Sequence, residues 1–430
     1  MIKKLIAKNP ALLKKLLNLK KITPLKMAKY AKKNTKIYGE LYKSNPMEDF
    51  KTLPLLSKTQ IKQSNAFDFL SKKEQKNVVI YGETTGSSGF PTPSFFTEQE
   101  FLGSLIFSRI TPYYKYLKQI LKENRVAVNG ITHGFTIAGH SFGQLLQKNG
   151  FLCAHVGTRS TIATPYRIAR LIARLKPSVI AASPVDFLSW MKIVEQDFKK
   201  DFDNVVYNLK ALISTAELCA DSRSQQIVNY FDIHHINTYA CVEGFFSLPC
   251  PCGERHILPV YHAEVFDEGL NFIGEIGEGR FAFTNLIRKS TPFVRYLLDD
   301  YVKIYESDCP FGYKKSIYPY GRYEMMVNIN GKKYGIGHFE DILFKYGFFG
   351  DYNVKIYNDK IKILAEIWAG RVDINNLKRH LYYLFRGKKI EIELLEFGQL
   401  TKYYEVRKTK PILKLIDLRQ ESTQKKPAFV

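Results

Sequence analysis

Residues 84–89, Thr84-Thr85-Gly86-Ser87-Ser88-Gly89, set four hydroxyls and two glycines side by side, followed by Phe90, Pro91 and Thr92. Hydroxyls donate hydrogen bonds to phosphate oxygens. Glycines let backbone N–H groups close on a polyphosphate and form an anion-binding nest. No Gly-Lys-Ser/Thr comes after them, so this is not a Walker A loop. A second cluster, Cys250-Pro-Cys252-Gly-Glu-Arg-His256, offers two thiols and an imidazole. A third, 405–419, holds Lys408, Lys410 and Lys414 in a short polar stretch before Leu415-Ile416-Asp417.

These groups need elements to position them. An apolar strand, Val78–Tyr81, leads into the hydroxyl loop. From 98 to 320 helical stretches (98–122, 164–176) alternate with short apolar runs at Val126–Val128, Val179–Ala182, Leu209–Ile213 and His235–Ala240. Helix then buried strand, repeated, predicts an α/β domain with a largely parallel sheet. From Ala263 onward AEVFDE, GRFAFTNL and YVKIYES read as antiparallel strands. After Gly321 come MMVNING, a helix around Phe339–Tyr346, and the strands YNVKIYN, KIKILAEI and KKIEIELLEF. That is a smaller α+β unit.

The loop resembles the phosphate loop of AMP-forming adenylating enzymes: two hydroxyls, Gly, two hydroxyls, Gly, any residue, Pro. Other segments fall in the same order. FKTLPLLSKTQIKQ (50–63) resembles the segment that leads into the phenylacetate–CoA ligase-like branch. LKALISTAEL (209–218) resembles its strand and adenine-contacting turn. NTYACVEG (237–244) is similar to a Tyr-Gly-x-Thr-Glu motif. TPFVRYLLDDY (291–301) resembles the strand bearing a ribose-binding Asp, and GRYEMMVNINGKKYGIGHFEDILF (321–344) the Gly-Arg hinge.

The resemblance implies a large N-terminal adenylating domain of mixed, largely parallel sheets with helices and a small β-barrel-like part, and a C-terminal lid. The boundaries are 1–36 for a basic helical segment, 37–321 for the ATP- and acid-binding domain and 322–430 for the mobile domain. It implies activation of a small carboxylic acid by ATP and Mg²⁺ to an acyl-AMP, then transfer to CoA or the phosphopantetheine of an acidic carrier protein. Thr84, Thr85, Gly86, Ser87, Ser88 and Gly89 would cradle the departing phosphates. Glu243 would bind Mg²⁺, a hard cation that prefers oxygen. Tyr239 would lie on adenine, with Ala216 and Glu217 nearby. Asp300 would take the ribose hydroxyls, and Arg322 would sit at the hinge. Lys410 is the best fit for the lysine that reaches the carboxylate and α-phosphate, with Lys408 and Lys414 as rivals.

Four departures stand out. Phe90 replaces a lysine in the loop, Val242 a threonine, Ala240 a glycine, and Glu324 an aspartate. Phe90 and Val242 motivate an alternative, a non-catalytic protein that keeps the fold. A further alternative is an adenylyl transferase that leaves AMP on its product. Members of this branch also hold a structural zinc in cysteine-rich turns. Here Cys250, Cys252 and His256 would bind it, with Cys309 or Cys241 fourth; a plain surface hairpin is the competing reading. NGITHGFTIAGHSFGQLL (129–146) would line the acyl pocket, with His133 and His140 read as loop residues more than substrate contacts.

Composition bounds the rest. The chain has 430 residues, 45% hydrophobic and 24% charged, which excludes a disordered or fibrous protein. Its net charge is +23, unevenly spread: +12 in residues 1–36, +3 in 37–321 and +8 in 322–430. The excess therefore avoids the expected nucleotide-binding core. It carries no nucleic-acid reader motif, and small anionic cofactors are the expected partners. The leucine- and lysine-spaced stretch 11–21 reads as an amphipathic helix packed on the main domain, with peripheral membrane contact as the alternative. Pro24 is expected to interrupt the helical pattern beyond it. Six scattered cysteines, no signal peptide and no run of about 18 apolar residues predict a cytoplasmic protein.

Overall fold

A computed structural model describes residues 22–84, 91–101, 111–406 and 414–419. The stretch 11–21, the loop residues Thr85–Phe90, and Lys408 and Lys410 lie outside the described residues. The described chain forms two compact units, one from 22–123, 133–150 and 238–318, the other from 124–132, 151–237 and 319–419.

The first unit is built on an eight-stranded antiparallel sheet. Its order is Phe272–Gly274, Tyr261–Phe266, Gly277–Asn285, Tyr296–Glu306, Lys315–Arg322, Arg255–Ile257, Phe245–Pro249 and Tyr239–Ala240. Its inward residues, among them Phe246, Phe281, Phe283 and Tyr296, join Phe293 and the helices Pro24–Asn34 and Lys36–Leu41 in one apolar core. Pro24 starts a helix, so the stretch beyond it is helical where an interruption was expected. Thr23 accepts the Lys26 N–H as an N-cap, and proline is suited to the first turn, where its missing N–H costs nothing. Met27, Ala28 and Ala31 are the face that packs. A separate hairpin, Val78–Glu83 with Pro93–Thr97, brackets the hydroxyl loop in sequence.

The second unit holds a five-stranded parallel sheet in the order Leu152–His155, Val126–Asn129, Val179–Ala182, Ala211–Ser214, His234–Asn237. Parallel strands need crossovers, which the helices Pro165–Leu175, Pro184–Asp197 and Asp221–Phe231 supply. Val179–Ala182 and Ala211–Ser214 are buried throughout, which is why they read as unbroken apolar runs. The run His235–Ala240, expected as one strand, is two. His234–Asn237 ends the parallel sheet, and Tyr239–Ala240 begins pairing in the antiparallel one.

Residues 319–419 of the second unit contain a four-stranded mixed sheet, ordered Lys389–Glu396, Lys360–Ile367, Tyr352–Ile356, Leu415–Asp417, and the helices Ile336–Lys345 and Ile374–Leu384. The last helix was not expected from the sequence. Its buried face is only Leu377 and Leu381, a thin apolar stripe. Phe349, Trp368, Phe397 and Tyr403 pack into the same core as Phe187, Trp190 and Phe231. The α/β class with a smaller α+β portion is therefore the architecture found. No helix among the described residues is long and apolar enough to cross a membrane.

Candidate active site

In the first unit a chain of hydroxyls joins the hydroxyl loop to Glu243. Thr84 N–H donates to the Thr92 carbonyl at 3.2 Å, and Thr92 N–H donates to Thr84 Oγ1 at 2.9 Å, closing the base of the loop. Thr92 Oγ1 lies 3.2 Å from the Tyr296 hydroxyl, which donates to Glu243 Oε1 at 3.1 Å. Glu243 is 3% exposed, and its Oε2 has no hydrogen-bond partner among the described residues. An ionised carboxylate held in this way is costly unless a cation or donor meets the second oxygen. The donor type and the open oxygen fit a hard divalent cation such as Mg²⁺.

Arg288 supports this carboxylate from behind. Its guanidinium donates to the carbonyls of Val242 (3.4 Å), Glu243 (3.3 Å) and Phe95 (3.1 Å) and lies 3.7 Å over the Phe96 ring. Burial pushes its pKa down to about 10, against the pull of Glu100, Tyr261 and Glu243. Cys241 lies beside Glu243. Burial, with the Glu243 charge second, holds its thiol well above the usual range, so it stays protonated. Neither Arg288 nor Tyr296 was singled out from sequence. An arginine among many lysines and a tyrosine among 27 give no local signal.

Tyr239 and Asp300 meet directly: the phenol donates to Asp300 Oδ2 at 2.5 Å. A bulge makes this contact. Between the pairs Arg280↔Tyr301 and Ala282↔Leu297, three residues of one strand, 298–300, oppose one of the other. Asp299 sits at φ +66, which a non-glycine residue seldom adopts. Ion pairs to Lys58 (2.9 Å) and Arg280 (3.2 Å) hold it there. Such a bulge re-aims the neighbouring side chain, here Asp300.

In the second unit Ala216 takes a left-handed turn, φ +71, just past the C-terminal end of the strand Ala211–Ser214. Glu217 is next, and its carboxylate is fully used. Oε1 accepts from Arg223 (2.9 Å) and Lys414 (2.6 Å), and Oε2 from the Val185 N–H (3.2 Å). Arg223 also pairs with Glu340 at 3.0 Å, and Lys414 with Asp351 at 3.0 Å. Burial works against the Arg223 charge, but Glu217 and Glu340 outweigh it and raise its pKa. Arg322 is half-buried and comes directly after Gly321, whose φ of +119 suits glycine. Of the three lysine candidates only Lys414 is described.

The structure brings Cys250, Cys252, His256 and Cys309 together, with one donor atom from each within 4.8 Å of the others. Cys241 is not in the cluster. Cys250 and Cys309 sulfurs are 3.7 Å apart and are not bonded. A tetrahedron of Zn–S bonds has an edge of about 3.8 Å. His256 Nε2 lies 3.2 Å from the Cys252 sulfur, while its Nδ1 meets the Ser316 hydroxyl at 2.9 Å. Glu254 stands 3.9 Å from the same ring, and Tyr313 stacks on it. An oriented imidazole with a partner on its far nitrogen is the usual support for a zinc ligand. The donor set fits tetrahedral zinc.

No protein-family model and no curated protein matches the sequence. Solved structures do match. A 2-hydroxyisobutyryl-CoA ligase in the postadenylation state, in complex with 2-HIB-AMP, aligns with TM-score 0.71 at 14% identity, covering 93% of this chain and 88% of that one. An acyl acid amido synthetase in complex with 2,4-DB aligns with TM-score 0.60 at 12% identity, covering 96% and 95%. An anthranilate CoA ligase in complex with anthranoyl-AMP aligns with TM-score 0.51 at 12% identity, covering 76% and 66%. The chain has the fold of the AMP-forming, adenylating enzymes.

Proposed function

We propose that this protein activates a small carboxylic acid with MgATP and passes the acyl group to a thiol, that of CoA or of an acidic phosphopantetheinyl carrier. A carboxylate oxygen attacks the α-phosphorus, the bond to the bridging oxygen breaks, and pyrophosphate leaves. The thiol sulfur then attacks the acyl carbon, and AMP leaves. The observation that carries this is the hydroxyl chain from Thr84 to the half-satisfied, buried Glu243, in a chain of this fold.

In this reading Thr84 to Gly89 hold the departing phosphates. Glu243 turns Oε2 to the Mg²⁺ that accompanies ATP and neutralises charge developing on the phosphates. Asp300 takes the ribose hydroxyls, and Tyr239, with the turn at Ala216 and Glu217, borders the adenine. Arg322 marks a hinge about which 322–430 swings to deliver Lys410. Cys250, Cys252, His256 and Cys309 hold a zinc that braces the turn. The protein works in the cytoplasm. Pyrophosphate exchange into ATP, measured over a panel of carboxylic acids, tests the reading. Exchange that depends on one acid class supports it. ATP binding without exchange for any acid rejects it.

A further inference from the structure

The eight-stranded sheet of the first unit has a seam. Tyr261–Phe266 pairs with Gly277–Asn285 over six positions, and Arg255–Ile257 with Phe245–Pro249 over three. Lys315–Arg322 meets Arg255–Ile257 at one register pair among the described residues, His256↔Ser316. Ladder hydrogen bonds are what keep two strands from sliding. Here side chains replace them. Glu254 Oε2 accepts from the Ser307 and Ser316 hydroxyls, each at 2.6 Å. Ser316 Oγ also lies 2.9 Å from His256 Nδ1. Cys309, from the far side of the seam, meets Cys250, Cys252 and His256 of the near side in the one cluster.

The nucleotide-site residues proposed above fall on both sides of this seam. Tyr239 and Glu243 belong with Phe245–Pro249 on the near side. Tyr296 and Asp300 belong to Tyr296–Glu306 on the far side. Two contacts between these residues cross it, Tyr296 to Glu243 at 3.1 Å and Tyr239 to Asp300 at 2.5 Å. The strand Phe245–Pro249 links site to cluster: Glu243 stands two residues before it and Cys250 directly after it. Arg288 spans the seam at the Glu243 end, through the carbonyls of Val242 and Glu243. The cysteine cluster spans it at the other end. Between them Phe246 packs on Phe281 and Phe283, which holds the sides together without fixing a register, because apolar burial is non-directional.

We propose that Cys250, Cys252, His256 and Cys309 form a register lock for the nucleotide site, so that metal occupancy of the cluster and MgATP binding are coupled through the strand Phe245–Pro249. The proposal rests on the zinc and nucleotide readings above and adds the coupling between them. One ATP is held from both sides of the seam, with Glu243 facing its Mg²⁺ and Asp300 its ribose. A locked seam presents both carboxylates at a fixed spacing. An unlocked seam has to be ordered by the ligand, which weakens binding. Coupling between two sites is reciprocal, so MgATP tightens the metal by the same factor as the metal tightens MgATP. A metal that only stiffens its own hairpin shows no such factor.

The test is calorimetry of MgATP on the full chain loaded with zinc and on the same chain stripped by a chelator. Zinc affinity is measured alongside by chelator competition, with and without MgATP. MgATP should bind the loaded chain about tenfold more tightly, and it should tighten zinc by about the same tenfold. Ser316→Ala keeps all four metal ligands and removes the hydroxyl that meets Glu254 and His256 across the seam. With zinc bound, it should weaken MgATP about threefold, the size of one hydrogen bond. Equal MgATP affinity in loaded and stripped chains overturns the proposal, as does zinc affinity indifferent to MgATP. If the stripped chain does not fold, Ser316→Ala decides, and wild-type MgATP affinity in that variant overturns it. The underlying readings fail differently. A chain that takes up no zinc rejects the metal reading, a loaded chain that binds no MgATP rejects the nucleotide reading, and either result ends the proposal.

Discussion

Tyr239 gives its phenolic hydrogen to Asp300 across 2.5 Å, from a strand 61 residues away in sequence. The carboxylate proposed to receive ribose is thus already engaged on one oxygen. Tyr239→Phe keeps the ring against Phe246 and Phe281 and removes only that bond. A hydrogen bond to a charged group contributes about 1.5–3 kcal/mol. The variant should lose about 1–2 kcal/mol in urea unfolding yet bind ATP more tightly, because the Tyr239 phenol no longer competes for Asp300. Asp300→Asn should weaken ATP at least tenfold. Calorimetry checks both, and unchanged affinity in both variants removes Asp300 from the nucleotide site.

Glu243 and Tyr296 form the second relationship to test. Glu243→Gln keeps the shape but removes the charge that a divalent cation needs. Pyrophosphate exchange should fall at least a hundredfold and should not recover at high Mg²⁺. Tyr296→Phe breaks the chain to Thr92 and leaves Glu243 less fixed, so exchange should fall about tenfold and recover partly as Mg²⁺ is raised. A Mg²⁺ titration of exchange separates the two. Identical profiles for Glu243→Gln and wild type count against the metal role.

How far these features are legible in the chain depends on how local they are. The parallel strands show as buried apolar runs because their burial is two-sided, as at Val179–Ala182. The hydroxyl loop and the cysteine cluster show because their residues are near neighbours, except Cys309. Arg288 does not show. Its role is to hold backbone carbonyls of Phe95, Val242 and Glu243, and carbonyls leave no trace in residue identity. The aim of Asp300 comes from a bulge, a property of strand register that pattern alone does not give. Pro24 misleads because a proline stops one helix and starts another equally well; the Thr23 cap decides which.

The cysteine cluster predicts metal content. Protein purified without chelator should carry one zinc per chain, by elemental analysis. Cys309→Ser should lower that below half, because Cys309 is the ligand brought from a distant loop. Stripping the zinc should lower the thermal midpoint by several degrees without abolishing ATP binding. Full stability in the stripped protein, or no zinc in any preparation, leaves the four residues as an ordinary hairpin contact.

Acid should destabilise the second unit through His338. Its ring stacks on Tyr320 at 3.8 Å, and Nδ1 accepts the Gly335 N–H at 3.1 Å. Burial lowers its pKa to about 4, from 6.5 when exposed. The folded state thus binds fewer protons between these values, so the contribution is complete above pH 6.5 and is lost as pH falls toward 4. The linkage amounts to about 3 kcal/mol. His338→Phe keeps a ring for Tyr320 but cannot titrate. Its unfolding free energy should vary less with pH over that window than wild type's. Parallel profiles would show that His338 is not the group responsible.

Lys414 and Lys410 should separate cleanly. Lys414 is a rival for the lysine that meets substrate, but its ammonium sits between Glu217 (2.6 Å) and Asp351 (3.0 Å) with the Tyr352 ring 5.0 Å away. Burial and nearby Arg223 act against its charge, and Asp351, Glu217 and Glu340 outweigh them, so its pKa is raised. A cation held among three carboxylates is a structural part. Removing it leaves Glu217 and Asp351 short of positive charge in a buried place. Breaking one side of such a cluster costs about 3–5 kcal/mol. Lys414→Met should therefore lower stability by about that much, and Lys414→Arg should restore most of it. Lys410→Ala should abolish acid-dependent pyrophosphate exchange. Urea unfolding and exchange, run on both variants, decide the matter. If Lys414→Met folds as well as wild type and has lost exchange, while Lys410→Ala keeps it, the catalytic assignment moves to Lys414.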